Sequence, residues 1–146
     1  MSAEEWKVRV DLAACYRLVA LYGMTDLDAT HLSARDPHNP NQFFLNPYGF
    51  LFDEITASSL VKCDYNHNII DSEHGINYAG YTIHSAIMEG KPDVNCAIHT
   101  HTRAGMAVSA QKDGLLPITQ TALRFYKNLS YHDYEGIAED RKSTRL

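Results

Sequence analysis

Apolar and polar positions recur along this chain with two periods, and the switches between them mark its elements. In "SAEEWKVRVDLAACYRLVALYG" (Ser2–Gly23), Trp6, Val10, Ala13 and Ala14 recur at helical spacing, followed by Leu18 and Leu21, which predicts an amphipathic helix. Ser2 has the side chain of an N-cap, Glu5 falls three residues later at the capping-box spacing, and Gly23 is a natural stop. Lys7, Arg9 and Arg17 are read as its solvated face. "HLSARDP" and "QFFLNPYG" then predict two strands joined by the turn "DPHNPN", with Gly49 after Pro47 marking a tight turn. "DEITASSL" reads as a short helical segment with an acidic start, and "LVKCDYNHNIIDS" as a strand pair around Asn66–Asn68.

From Asn77 the helical period returns. "NYAGYTIHSAIMEG" places Tyr81, His84 and Met88 on one stripe, flanked by Gly80 and Ile87, with Gly90 and Pro92 closing it. "VNCAIHTH" is strand-like, "TRAGMAVSAQ" helical, and "GLLPITQTALRFY" with "LSYHDY" read as a loop, a short helix and a strand. Strands interleaved with helices argue for a layered α/β or α+β domain.

Composition narrows this picture. A chain of 146 residues fits one domain, residues 1–146, and 45% apolar with 21% charged residues is globular rather than disordered. The formal charge of −5 supplies no basic field for nucleic acid or anionic membrane. The longest apolar stretch, "LAACYRLVALYGM", is broken by Arg17 and too short to span a bilayer. Three widely spaced cysteines, no CxxC pair and no basic n-region at the start predict free thiols in a reducing cytoplasm.

The candidate chemistry lies in "CAIHTHTRAGMAVSA" (Cys96–Ala110). Side chains at i and i+2 of a strand share a face, so His99 and His101 can aim at one point. Neutral imidazoles at a strand end are a recurring grip for a divalent metal, although two ligands do not close a site. The competing reading is two core histidines. Burying such rings unpaired costs on the order of a few kcal/mol, so packing alone gives little reason for both. His84, on the inner stripe of its helix, is a candidate ligand or supporting residue, and equally a core histidine bonded to a carbonyl. Among the histidines in or beside turns, His31 stands out because it directly precedes a strand.

"THLSAR" (Thr30–Arg35), "LNPYGFLFDEITASSLVKCD" (Leu45–Asp64), "NYAGYTIHSAI" (Asn77–Ile87), "KPDVNCAIHTHTRAGMAVSA" (Lys91–Ala110) and "YHDYEGIA" (Tyr131–Ala138) occur in the order found in the class II aldolase/adducin family. The chain resembles that family from roughly Asp11 to Ala138. The resemblance implies a three-layer α/β/α sandwich around a mainly antiparallel sheet, and a homo-oligomer, a tetramer in many members. It also implies that His99 and His101 bind a divalent metal, zinc first and manganese or iron as alternatives. In the aldolases a third histidine follows much later in an "NHG" setting, which these residues lack, so the domain is expected to end short of its C-terminal part. The aldolase glutamate that moves the proton falls on Gly80, which cannot do so. The phosphate pocket falls on Tyr48 with Gly49, and on Tyr78 with Ala79, where tyrosines fill the space. His31 stands where the aldolases carry an asparagine.

Two functions follow. The first is a metal-dependent carbon–carbon lyase, of aldolase or decarboxylase type, acting on a small carbonyl or carboxylate substrate. Its metal residues would be His99, His101 and His84, its substrate contacts His31, Tyr48 and Gly49, and its catalytic residue unknown. Arg103 would orient a carboxylate or form a helix-start ion pair. The second is a non-enzymatic, adducin-like assembly module, which the missing glutamate favours and the retained histidine pair opposes.

Overall fold

Ser2 Oγ accepts the Glu5 N–H at 3.0 Å and opens α1 (Ala3–Leu21) in the computed structural model, which describes residues 1–133 and 136. Only half of the expected capping box forms. Glu5 turns its carboxylate to Arg9 Nε, 3.0 Å away, and to Lys62 Nζ, 2.9 Å away. Gly23 ends the helix with φ +63°, and the Met24 N–H returns to Val19 C=O at 3.0 Å. A left-handed residue of this kind lets the chain reverse onto orphaned carbonyls without a Cβ clash.

The buried stripe of α1 is not the one its apolar spacing predicts. Glu5, Arg9, Leu12, Tyr16 and Val19 face inward together with Ala13, the one buried member of the expected stripe, while Trp6, Val10, Leu18 and Leu21 are exposed. The true stripe steps by four and three residues, but its first two members are charged, so counting apolar residues follows the wrong face. Arg9 accordingly leaves the predicted solvated face. Its guanidinium is buried, donating to Glu5, to Leu60 C=O at 2.7 Å and to Asp71. Arg17 donates to Ile55 C=O at 3.1 Å.

Four antiparallel strands follow: β1 (His31–Arg35), β2 (Gln42–Leu45), β3 (Val61–Asp64) and β4 (Cys96–His99), ordered β3-β2-β1-β4. Strand alternation divides the core in two. Leu32, Phe44 and Leu60 meet Leu12, Tyr16 and Val19 of α1. Phe43, Leu45 and Cys63 meet Tyr81 and Met88 of α2 (Tyr78–Gly90) on the opposite face. The result is an α/β fold in which two helices sandwich an antiparallel sheet. Tyr16 pins the first interface: its hydroxyl donates to Leu32 C=O and accepts the N–H groups of Leu32 and Asn46 at 3.0 and 3.1 Å.

The "DPHNPN" turn and the Gly49 turn (φ +81°) occur as expected. The acidic segment differs: a 3-10 turn covers Phe52–Glu54, ahead of a separate turn closed by Thr56 and Ser59. The strand pair around Asn66 shrinks to β3 and a single bridge between Cys63 and Ile69. Asp64 accepts the Asn66 and Asn68 N–H groups at 2.8 and 2.9 Å, closing a side-chain turn in place of a ladder. α3 (Arg103–Ser109) and α4 (Gln120–Leu123) complete the described elements. Residues 129–133 form no strand, and the rest of that expectation, like the polar tail "EDRKSTRL", lies outside the described residues. No described helix is long and apolar enough to cross a membrane.

Candidate functional site

Register places His31, the first residue of β1, directly opposite His99, the last of β4. Both side chains point to the α2 face, so their rings stack, with centroids 4.6 Å apart and planes 14° from parallel. His101 lies two residues past His99, beyond the strand end, and turns its Nε2 to within 2.9 Å of His99 Nε2. Its other nitrogen, Nδ1, meets Asp26 Oδ2 at 2.8 Å, a carboxylate from the loop between α1 and β1.

This geometry constrains the protons. In a neutral His101 that gives its Nδ1–H to Asp26, Nε2 is a lone pair, and His99 Nε2–H donates to it. A shift of that proton to His99 Nδ1 leaves two lone pairs facing one point. Two imidazoles on a tetrahedral zinc, each about 2.1 Å from the ion, have nitrogens about 3.4 Å apart, a few tenths of an ångström wider than here. The donor set therefore fits a divalent cation held from two sides, with Asp26 orienting one ring as carboxylates do behind metal-bound histidines. No group of three His, Cys, Asp or Glu side chains among the described residues is arranged as a complete metal site.

His84, from α2, is placed differently. Its Nε2 meets His31 Nδ1 at 2.7 Å, and its Nδ1 is hydrogen-bonded to Ser33 Oγ. Both ring nitrogens are thus engaged away from the His99–His101 pair. Gly80, one turn earlier on α2, makes room for this arrangement. A Cβ there would lie 2.7 Å from His31 Cδ2 and 2.9 Å from Cγ. The imidazole of His31 occupies the space that a side chain at position 80 would need.

Burial and crowding keep these rings uncharged. Burial first, then His99 and His101, hold His31 down to about 3, at 3% exposure. Burial and His31 hold His84 well below the ordinary histidine range. Burial and His101 lower His99 as well. His31, His84 and His99 thus favour the neutral imidazole, the state in which histidine ligates metal and donates single hydrogen bonds.

Tyr48 and Gly49 lie on the exposed turn after β2, at the sheet end where His31 begins its strand. Tyr48 N–H is held by Gly75 C=O at 2.8 Å. Arg103 opens α3 and is exposed. Two residues here are absent from the sequence reading. Asp26 sits in a polar loop with nothing to mark it. Ser33 was accessible, because the i, i+2 argument that pairs His99 with His101 also pairs His31 with Ser33.

The model of the family described as "Class II Aldolase and Adducin N-terminal domain" matches residues 10–146. A Pseudomonas aeruginosa protein provisionally named an aldolase class 2 protein is 58% identical over 139 residues, 94% of this chain and 53% of that one. Alpha-adducin of Rattus norvegicus is 45% identical over 142 residues, 95% of this chain and 19% of the adducin. The crystal structure of an aldolase II superfamily protein from Pseudomonas syringae superposes with a TM-score of 0.94 at 55% identity, covering 99% of this chain and 59% of that one. The chain thus spans about half the length of the bacterial relatives it matches.

Proposed function

Since the chain belongs to the class II aldolase and adducin N-terminal domain family, we propose that its histidine cluster is the metal-binding half of a carbon–carbon lyase site, of aldolase or decarboxylase type, for a small carbonyl or carboxylate substrate. The observation that carries this reading is the approach of His99 Nε2 and His101 Nε2 to 2.9 Å with Asp26 behind the second ring. His99 and His101 would hold a divalent cation, zinc first, with manganese or iron equally compatible with imidazole. Such an ion supplies Lewis-acid polarisation of a carbonyl or carboxylate oxygen. His31 would contact the substrate, with Tyr48 and Gly49 at the rim, and His84 would act behind His31. Gly80 brings no proton-transferring group, which favours chemistry without the aldolase glutamate. The whole protein would be a cytoplasmic homo-oligomer, with the tetramer as the family's model.

The test is zinc titration followed by thermal unfolding. Zinc at about 100 times its dissociation constant stabilises the folded state by about 2.7 kcal/mol, so the wild type is expected to melt at a clearly higher temperature. His99→Ala is expected to lose that shift, and Asp26→Asn to need about 10 to 100 times more zinc for it. A wild-type chain indifferent to zinc, manganese and iron refutes the metal reading. That outcome would favour the second reading, a non-enzymatic assembly module, which the 45% identity to alpha-adducin and the bare position at Gly80 support.

A further inference from the structure

The chain Ser33–His84–His31 has a direction, set by counting protons. Ser33 is fully buried, His84 is 1% exposed and His31 3%. The Ser33 hydroxyl carries one proton, and its hydrogen-bond partner among the described residues is His84 Nδ1. If Ser33 donates, His84 Nδ1 is the acceptor, so the proton of neutral His84 sits on Nε2. His84 Nε2–H then donates to His31 Nδ1, and the proton of neutral His31 is forced onto Nε2. The reverse order would strand the Ser33 proton in the core without an acceptor, a state folded proteins avoid. No hydrogen bond among the described residues reaches His31 Nε2, although its ring is almost wholly buried against His99.

We propose that Ser33 and His84 are positioning residues that fix His31 as a neutral donor through Nε2–H, facing an oxygen of a carboxylate ligand beside His99 and His101. This rests on the ligand site proposed above and adds the ligand's charge. A carboxylate side chain at position 80 would repel an anionic oxygen so close by. A neutral N–H attracts one by donating a hydrogen bond to it. Gly80 and His31 act together here: the missing Cβ admits the ring, and the ring supplies the donor.

Nitrogen-15 NMR of the whole chain, labelled at histidine, reads the tautomers directly. Wild type is expected to show His31 and His84 both protonated at Nε2. Ser33→Ala is expected to give mixed tautomers at both rings, and Ser33→Thr to restore the wild-type pattern. Oxalate, titrated calorimetrically against zinc-loaded protein, is expected to bind Ser33→Ala about tenfold more weakly than wild type or Ser33→Thr. His31 protonated at Nδ1 in wild type overturns the proposal, as does a tautomer pattern unmoved by Ser33→Ala or an oxalate affinity that is the same in all three. A wild type that takes up no zinc refutes the metal reading alone, and the tautomers, measured without metal, still decide this one.

Discussion

His31 and His84 stay neutral because burial and neighbouring imidazoles both oppose a charge on them. Their unfolded counterparts titrate near 6.5. Between that value and the folded value, about 3 for His31, the unfolded chain binds more protons than the folded one. Stability is therefore complete above about pH 6.5 and falls as the pH drops through this window, by on the order of 2 kcal/mol at pH 5 from His31 alone. Glu5 and Asp36 are held low by Lys62 and other partners against their burial, so their contribution is lost only below ordinary carboxylate values. Urea midpoints at pH 7 and pH 5, with chelator present, isolate the histidines. Equal midpoints would contradict the neutral cluster. At this scale the sequence was partly legible: alternation along "AIHTH" already puts His99 and His101 within reach of one point. Asp26 was not legible, because its role depends on where a loop returns after helix α1, which no local pattern encodes.

Elements were legible where local chemistry sets them. Ser2, Gly23, Gly49 and the "DPHNPN" turn each act on backbone within a few residues of themselves, and each performs as its residue type dictates. The face of α1 was not legible, because tertiary ion pairs decide it. Arg9 lies beneath the helix against Phe44, its guanidinium 4.5 Å from the ring centroid, and is bound by Glu5, Asp71 and Leu60 C=O. Removing one partner from a buried ion pair leaves the other uncompensated, at a cost of about 3 to 5 kcal/mol. Arg9→Met is thus expected to destabilise by about 3 kcal/mol, since Lys62 still accompanies Glu5. Chemical denaturation measures it, and a loss below about 1 kcal/mol would show that the network is incidental to how α1 docks.

For the whole molecule, the two-sided sheet followed from strands interleaved with helices, and the resemblance supplied its antiparallel order. What no pattern disclosed is how one-sided the cover is at β4. β4 is one of the two edge strands of the described sheet, and Ile98 on its α1 side is 56% exposed. Beside it runs a groove of about 690 Å³ lined by Val8, Leu12, Cys15, Leu32 and Cys96. An exposed, partly apolar strand edge is a template for association. The chain is expected to self-associate at micromolar concentration, and Ile98→Lys to lower its mass in light scattering. A monodisperse monomer in the wild type would count against both this edge and the proposed oligomer.

The overlap between the imidazole of His31 and any methyl group at position 80 reaches into the history of the family. A step from glycine to an acidic side chain there, with the histidine retained, forces the buried ring to shift. Replacing the ring first or together with it avoids that displacement. Two letters, read some fifty positions apart, should therefore sort relatives into those that bear a carboxylate at this spot and those that bear an imidazole, with few holding both.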